Sequence, residues 1–562
     1  MLKLMPILRR SLGPCFLLIS VFCALAHLAA GATESSTLAQ GIYFGKKSYQ
    51  PMPLLKFAEA REQLPSPIYG ARPEWVSMYW KAWELAFNNF HEPMPGSGYV
   101  SQFIDAAFNQ NIFLWDTCFM TMFCNYGHPL VPGIGSLDNF YAKQHADGEI
   151  CREIDRRTGR DYSEWVNREG RPLFSRWGWA GVRNDPVVYQ GRGAPQPLPQ
   201  LTLDAQNHPI LAWAELESYR VTGDRDRLKL VHSPLIHYYR SLQKYLRQGN
   251  ELYVTDWASM DNSPRNAFLK SGGCAVDTSS QMVLFARNLS TIARRLGESA
   301  EARGFEREAE ELSRKINTLM WDPTNRFYFD LTWEGKPAPV KTIGAFWTLV
   351  AGVASPAQAK DLMRELSNPQ TFKRLHRVPT LAADQNGYDP AGGYWRGAVW
   401  APTSTMVIRG LEQYGQGELA REIALNHLDL MGQVFQQTGT IWENYAPDAP
   451  QPGRPAKADF VGWSGIGPIL YLLEYAIGLK PDAAENKLVW DVNAATVSGC
   501  NRYRFNGRVV SLKAEPIAGA TQRLKISILS DGRFKLQVRC GGREKTYAVR
   551  KGQQTISFAP KA

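Results

Sequence analysis

The chain has 562 residues, 44% apolar and 12% aromatic, enough for a large core and too long for a single average domain. Its formal net charge of +11 is unevenly placed. Fifteen Lys/Arg face only four acids in 487–562, three more positive charges lie in 1–32, and the body between carries about −3. A basic excess confined to one end argues against a nucleic-acid surface and leaves contact with an acidic polysaccharide or a membrane surface, or a plain solvated face, as its readings.

Lys3, Arg9 and Arg10 precede an uncharged stretch that includes 16–25, and Ala30-Gly31-Ala32 then supplies small residues before Thr33. This pattern predicts a cleaved export signal over 1–32 and a periplasmic or secreted mature chain. The competing reading is a retained membrane anchor, because 11–32 is long enough to span a bilayer. Cys23 follows Phe22 rather than a small residue, which argues against a lipid anchor. Residues 33–72 form an N-terminal extension.

Across 73–481 the apolar residues recur at helical spacing and predict twelve helices. They cover about 73–90, 115–126, 135–146, 206–222, 226–247, 279–296, 300–321, 343–354, 357–368, 401–414, 418–437 and 463–477. Pro209 is expected in a first turn, where its missing N–H costs little. Links leaving even-numbered helices are short, as at Gly223, Gly297, Ser355-Pro356 and Gly415-Gln416, with 127–134 the longest. Links leaving odd-numbered helices are long and aromatic: 91–114, 147–205, 248–278, 322–342, 369–400 and 438–462. In an up-and-down arrangement, links of one parity emerge at one end. Six helical hairpins closing into a ring thus give a mainly α, (α/α)6 toroid with every long loop on one rim, where function concentrates.

After about residue 482 the texture alternates, as in Lys487-Leu-Val-Trp-Asp-Val492 and Phe534-Lys-Leu-Gln-Val538, with Gly507, Gly532 and Gly541-Gly542 as turns. This predicts a small antiparallel, sandwich-like and basic β domain over 482–562. Cys118 and Cys124 point to different faces of one helix, whereas Cys500 and Cys540 share the β domain and are placed to bridge two strands. No cysteine has metal-ligand spacing.

Two long links each carry one carboxylate in an aromatic setting, 182 residues apart: Asp256-Trp257-Ala-Ser-Met-Asp261-Asn-Ser-Pro-Arg265 and Trp442-Glu443-Asn-Tyr445. Glycoside hydrolysis needs such a pair, one to protonate the leaving oxygen and one to activate water or attack the sugar. Trp257 offers an apolar wall that would raise the pKa of Asp261, and Arg265 is expected to face substrate hydroxyls. The plain alternatives are an Asx-turn for Asp261 and an exposed helix-flanking acid for Glu443, with Asp256 the rival acid. Three further rim segments supply sugar-binding candidates: Trp115-Asp116 (or a helix cap), Tyr394-Trp395-Arg396 with Trp400 (or a core-packing aromatic turn), and Trp463. Tyr445 would hold a hydroxyl or the carboxylate, and 176–185 is a candidate lid.

Asp261-Asn-Ser-Pro-Arg265, Tyr394-Trp395-Arg396-Gly397, Trp442-Glu443-Asn-Tyr445 and Gly462-Trp463, in this order, resemble the motif series of glycoside hydrolase family 63 and its relatives, the trehalases and the mannosylglycerate hydrolase-like enzymes. The resemblance covers about 75–480. It implies an exo-acting, inverting α-glycosidase on an (α/α)6 barrel, with no metal or cofactor, Asp261 as acid and Glu443 as base. The C-terminal β tail departs from the eukaryotic processing enzymes of that group and is similar in order to some α-L-rhamnosidases. The alternatives are a polysaccharide lyase, for which His91 lies on the correct rim, and a non-catalytic carbohydrate-binding protein.

Overall fold

Helices apolar on every side alternate with helices apolar on one stripe, and that alternation sets the architecture. The computed structural model describes residues 40–559 apart from 46–47, 107, 162–164, 167–200, 202, 204–205, 207, 256–259, 270–271, 494 and 518–522. Its barrel helices are α1 (Pro73–Phe87), α2 (Leu114–Cys124), α3 (Asp138–Ala142), α4 (Leu211–Thr222), α5 (Arg225–Leu246), α6 (Val276–Leu296), α7 (Ser299–Leu319), α8 (Trp347–Val350), α9 (Pro356–Ser367), α10 (Ala401–Gln413), α11 (Gly417–Thr438) and α12 (Ile466–Ala476, wound as a π-helix). Every residue of α2 and α12 is buried. The outer helix α7 instead buries a single stripe, Ala302, Phe305, Ala309, Leu312 and Ile316. Each even-numbered helix touches the next, and α12 returns to α2, so the inner ring closes.

The short links form one end. Gly223 and Gly297 end α4 and α6 at φ of 70° and 98°, a left-handed bend that spares them a Cβ clash. Asp224 then caps α5 by accepting from the Arg227 N–H, and Ser355 and Gln358 cap α9 reciprocally. Behind this end Arg409 of α10 reaches Glu474 of α12 at 2.9 Å and Glu217 of α4 at 2.9 Å, tying three inner helices together.

The long links form the other end and are stitched to one another. Residues 111–113 pair with 153–155, Cys274 bridges Leu331, and Val399 bridges both Pro379 and Tyr445. Two expected helices are shortened. The segments near 135–146 and 343–354 open as 3-10 turns, Ile134–Leu137 and Ile343–Phe346, because Gly135 and Gly344 weaken helix formation at their starts. Pro209 lies just before α4 rather than inside its first turn.

The β region has two sheets. Strands β1 (Ser66–Tyr69), β2 (Leu479–Asp482), β3 (Lys487–Asp491), β4 (Ser498–Phe505), β5 (Arg508–Pro516), β6 (Leu524–Ser530), β7 (Phe534–Cys540), β8 (Arg543–Val549) and β9 (Gly552–Phe558) are ordered β1-β4-β5-β6-β9 and β2-β3-β7-β8. Pairing is antiparallel except between β3 and β7, which run parallel. The first sheet borrows its edge from the N-terminal extension, with Ser66 opposite Asn501. Phe505 of β4 meets Phe534 of β7 at 5.2 Å, joining the two sheets through one core. Cys500 and Cys540 lie on different sheets and no disulfide joins them. The β region sits on the short-link end of the barrel: the Asn506 N–H donates to Val221 O at 2.8 Å, and Tyr503 packs on Tyr126. Among the described residues no helix is long and apolar enough to cross a membrane.

Candidate active site

Asp261 lies in the α5–α6 link and Glu443 in the α11–α12 link, both at the long-link end. The turn holding Asp261 is fixed from behind by Asn266, whose amide donates to Met260 O (2.8 Å) and Asp261 O (3.1 Å). Asn262 fixes it sideways. Its Oδ1 accepts the Trp395 N–H at 2.9 Å and its Nδ2 donates to Gly393 O at 3.0 Å, so the 261–265 and 392–400 segments are clasped together. Tyr394, between those two contacts, has a left-handed backbone at φ 64°, a costly conformation for a residue with a side chain. Its hydroxyl donates to Glu443 Oε1 at 3.3 Å.

Glu443 is held at every polar atom. Oε2 accepts the Lys457 N–H at 3.0 Å, its own N–H donates to Lys457 O at 2.9 Å, and its carbonyl accepts from Trp463 Nε1 (3.0 Å) and Ser464 Oγ (3.1 Å). Burial pushes its carboxyl up to about 7, while the Lys457 N–H and the Tyr394 hydroxyl pull the other way. Burial likewise pushes Asp261 up to about 7, partly offset by Arg152 and reinforced by the charge of Glu443. The charge of Glu443 is the smallest of the influences on Asp261, after burial, Arg152 and its own backbone N–H. Asp116, in the first turn of α2, is held well above the carboxylate range by burial, then by Glu153, Asp105 and Glu443. Tyr394 feels Asp261, Glu443 and Asp116 alike, which makes it the common neighbour of three carboxyls.

The aromatic residues divide differently from expectation. Trp395 stacks on Trp400 at 4.7 Å and 9°, and Trp400 packs on Trp463 at 5.6 Å. All three are buried, so they back the site instead of offering open faces to a sugar: Trp400 Nε1 reaches Tyr394 O at 3.4 Å and Trp463 Nε1 holds the Glu443 carbonyl. Tyr445 is also buried, its hydroxyl accepting the Trp442 N–H and its ring lying against His376 and His427, so it positions Glu443 and meets no substrate hydroxyl. Trp115 packs among His208 and Trp347 of the inner ring. Arg396 is exposed and donates to Gly387 O at 2.8 Å.

Arg265 corrects the expectation most sharply. Its side chain is wholly buried and paired with Asp277 (2.6 Å) and Asp330 (3.5 Å), so it anchors the loop and does not face substrate hydroxyls. Trp257, Asp256 and the 176–185 segment fall outside the described residues. Sequence reasoning missed Asn262 and the Arg152–Glu153 pair (2.8 Å) that lies among the carboxyls. The one signal for the pair was its place in a long link. His91 lies 3.8 Å from Asp105, which also pairs with Arg156. Among the described residues no cluster of His, Cys, Asp and Glu is arranged to hold a metal ion.

The sequence profile of the mannosylglycerate hydrolase MGH1-like glycoside hydrolase domain matches residues 152–464, more than half of the chain and both carboxylates. The chain belongs to this family. An uncharacterized protein of Borreliella burgdorferi is 27% identical over 305 residues, 52% of this chain and 63% of that relative, so the chain spans somewhat under two thirds of its length. The fold is that of the family 63 mannosylglycerate hydrolase of Thermus thermophilus, solved with glucose (TM-score 0.52, 19% identity, 70% of this chain and 99% of that one). A family 78 rhamnosidase of Bacillus sp. GL1 covers 85% of this chain and 43% of its own, with TM-score 0.57 and 14% identity. These likenesses establish the helical toroid followed by a β-sheet region.

Proposed function

We propose that this glycoside hydrolase releases a terminal α-linked hexose by an inverting, two-carboxylate mechanism. The observation that carries the reading is geometric: Asp261 and Glu443 come from two distant links to the same end of the barrel, and Tyr394, hydrogen-bonded to Glu443 and gripped by Asn262, lies between their segments. Glu443 has two donors that favour its ionised form, the Lys457 N–H and the Tyr394 hydroxyl. Burial pushes Asp261 up to about 7, with a small further rise from the charge of Glu443. In this reading Asp261 protonates the leaving oxygen and Glu443, favoured as the anion by its two donors, takes a proton from the attacking water. Asp116, whose burial favours the protonated form, is read as meeting a sugar hydroxyl.

Family membership favours an α-mannoside or α-glucoside with a small aglycone, and the chain is read as acting in the periplasm or outside the cell after loss of 1–32. The basic β region is read as facing acidic polysaccharide. The alternative, a lyase, would use a base such as His91 beside a uronate and would release an unsaturated sugar instead of a hydrolysed one. Incubating the protein with α-mannosides, α-glucosides, α-rhamnosides and α-galactosides, with the released anomer followed by proton NMR, tests the reading. Initial appearance of the β anomer from an α-substrate supports it. Release of the α anomer would make Glu443 a nucleophile instead.

A further inference from the structure

A second concave site lies at the opposite end of the barrel, where the β4–β5 hairpin meets the short links. It is a cavity of about 410 Å³, walled by Asn125, His128 and Asp224 from the barrel and by Arg504 and Arg508 from the hairpin, with Val221 and Pro129 as apolar surface. Nothing in the hydrolytic mechanism uses it.

Three features mark it as a binding site. Asn125 is only 2% exposed, and its Nδ2 has no hydrogen-bond partner among the described residues, an unfavourable arrangement unless a ligand accepts from it. Arg504 Nε is likewise without a partner among the described residues, and its NH2 has only a long contact to Gln63 O at 3.4 Å. Arg508 donates to Asn506 O at 2.9 Å, and neither arginine has a carboxylate within ion-pair distance among the described residues. Burial lowers the pKa of Arg504, the nearby charge of Asp531 opposes this, and Arg502 adds a smaller lowering. Asp224, the acid in the wall, has its Oδ1 taken by the Arg227 N–H at 2.9 Å. Cationic forks, an amide donor and an apolar strip together suit a small carboxylate-bearing sugar.

We propose that this cavity binds a sugar acid of monosaccharide size, a uronate or aldonate, which bridges the barrel to the β region away from the hydrolytic rim. Its carboxylate meets Arg504 and Arg508, and a hydroxyl accepts from Asn125. The proposal is independent of the reaction assigned to Asp261 and Glu443.

Isothermal titration of the full-length protein with sodium glucuronate, glucose and sodium phosphate at fixed ionic strength tests it. Glucuronate should bind at least about ten-fold more tightly than glucose, and the Arg504→Gln/Arg508→Gln protein should lose at least about ten-fold in that affinity. Hydrolysis and the ligand-free unfolding temperature should stay unchanged. Asn125→Leu, which leaves both arginines intact, should weaken glucuronate as well. Undiminished binding in the double variant would place the ligand elsewhere and overturn the proposal. So would equal binding of glucose, or binding of phosphate without glucuronate.

Discussion

Asn262 is hydrogen-bonded to the backbone of Trp395 at 2.9 Å, and the same side chain reaches back to Gly393, so one amide grips both sides of Tyr394. The residue next to the assigned acid thereby sets the position of the tyrosine that touches the assigned base. Asn262→Ala should keep the fold but lower kcat by about 10–100-fold, since displacing a reacting group by about 1 Å costs that much. Unchanged unfolding with a reduced kcat is the expected pair of measurements; an unaltered kcat would remove Asn262 from the positioning of the site.

Asp261→Asn and Glu443→Gln should each reduce kcat by roughly 10²–10⁴-fold. Because both carboxyls are pushed up to about 7, kcat/KM should follow a narrow bell centred near neutrality. Glu443 ionisation gives the rising limb and Asp261 ionisation the falling limb. A flat profile between pH 5 and 9 would contradict the pairing.

The same shifts carry a stability cost. A carboxyl whose pKa is higher in the folded than in the unfolded chain favours the fold when protonated. That contribution is present below about pH 4 and lost as pH rises through about 7. At pH 8 Asp261→Asn should therefore raise Tm by about 1–2 °C, and at pH 4 it should not. Thermal unfolding at the two pH values decides it.

Tyr394→Phe removes a donor to Glu443 Oε1 that lowers its pKa. The rising limb of the pH profile should move to higher pH, and kcat/KM should fall by about ten-fold. A change in rate without a moved limb would mean that Tyr394 acts on the substrate alone.

Arg265→Met would leave Asp277 and Asp330 buried without their partner. The expected loss is about 3–5 kcal/mol in urea unfolding, far above that of an exposed loop arginine. Wild-type stability in this variant would argue that Arg265 does not anchor the loop through these two acids.

The toroid was legible because its evidence is periodic: buried helices such as Ile466–Ala476 read as apolar runs, and link lengths alternate strictly along the chain. The place of Asp261 and Glu443 at one end of the barrel was legible because each falls in a long link. The role of Arg265 was not, since its partners lie 12 and 65 residues away and nothing local distinguishes an inward arginine from an outward one. The tryptophans misled for a related reason. An indole that stacks on sugar and one that stacks on Trp400 have the same sequence signature, and only burial separates them. Asn262 looked like a turn residue, and its value lies in a contact made 133 residues further on.

Strand Ser66–Tyr69 has a consequence for how the molecule comes apart and together. It seals the edge of Ser498–Phe505, so a fragment starting at the β region would present an open row of backbone donors and acceptors to any passing strand. The β region thus depends on a short strip made long before it. During synthesis that strip waits through the whole barrel before its partner emerges, and a cut between the strip and α1 would fray the far end of the protein first.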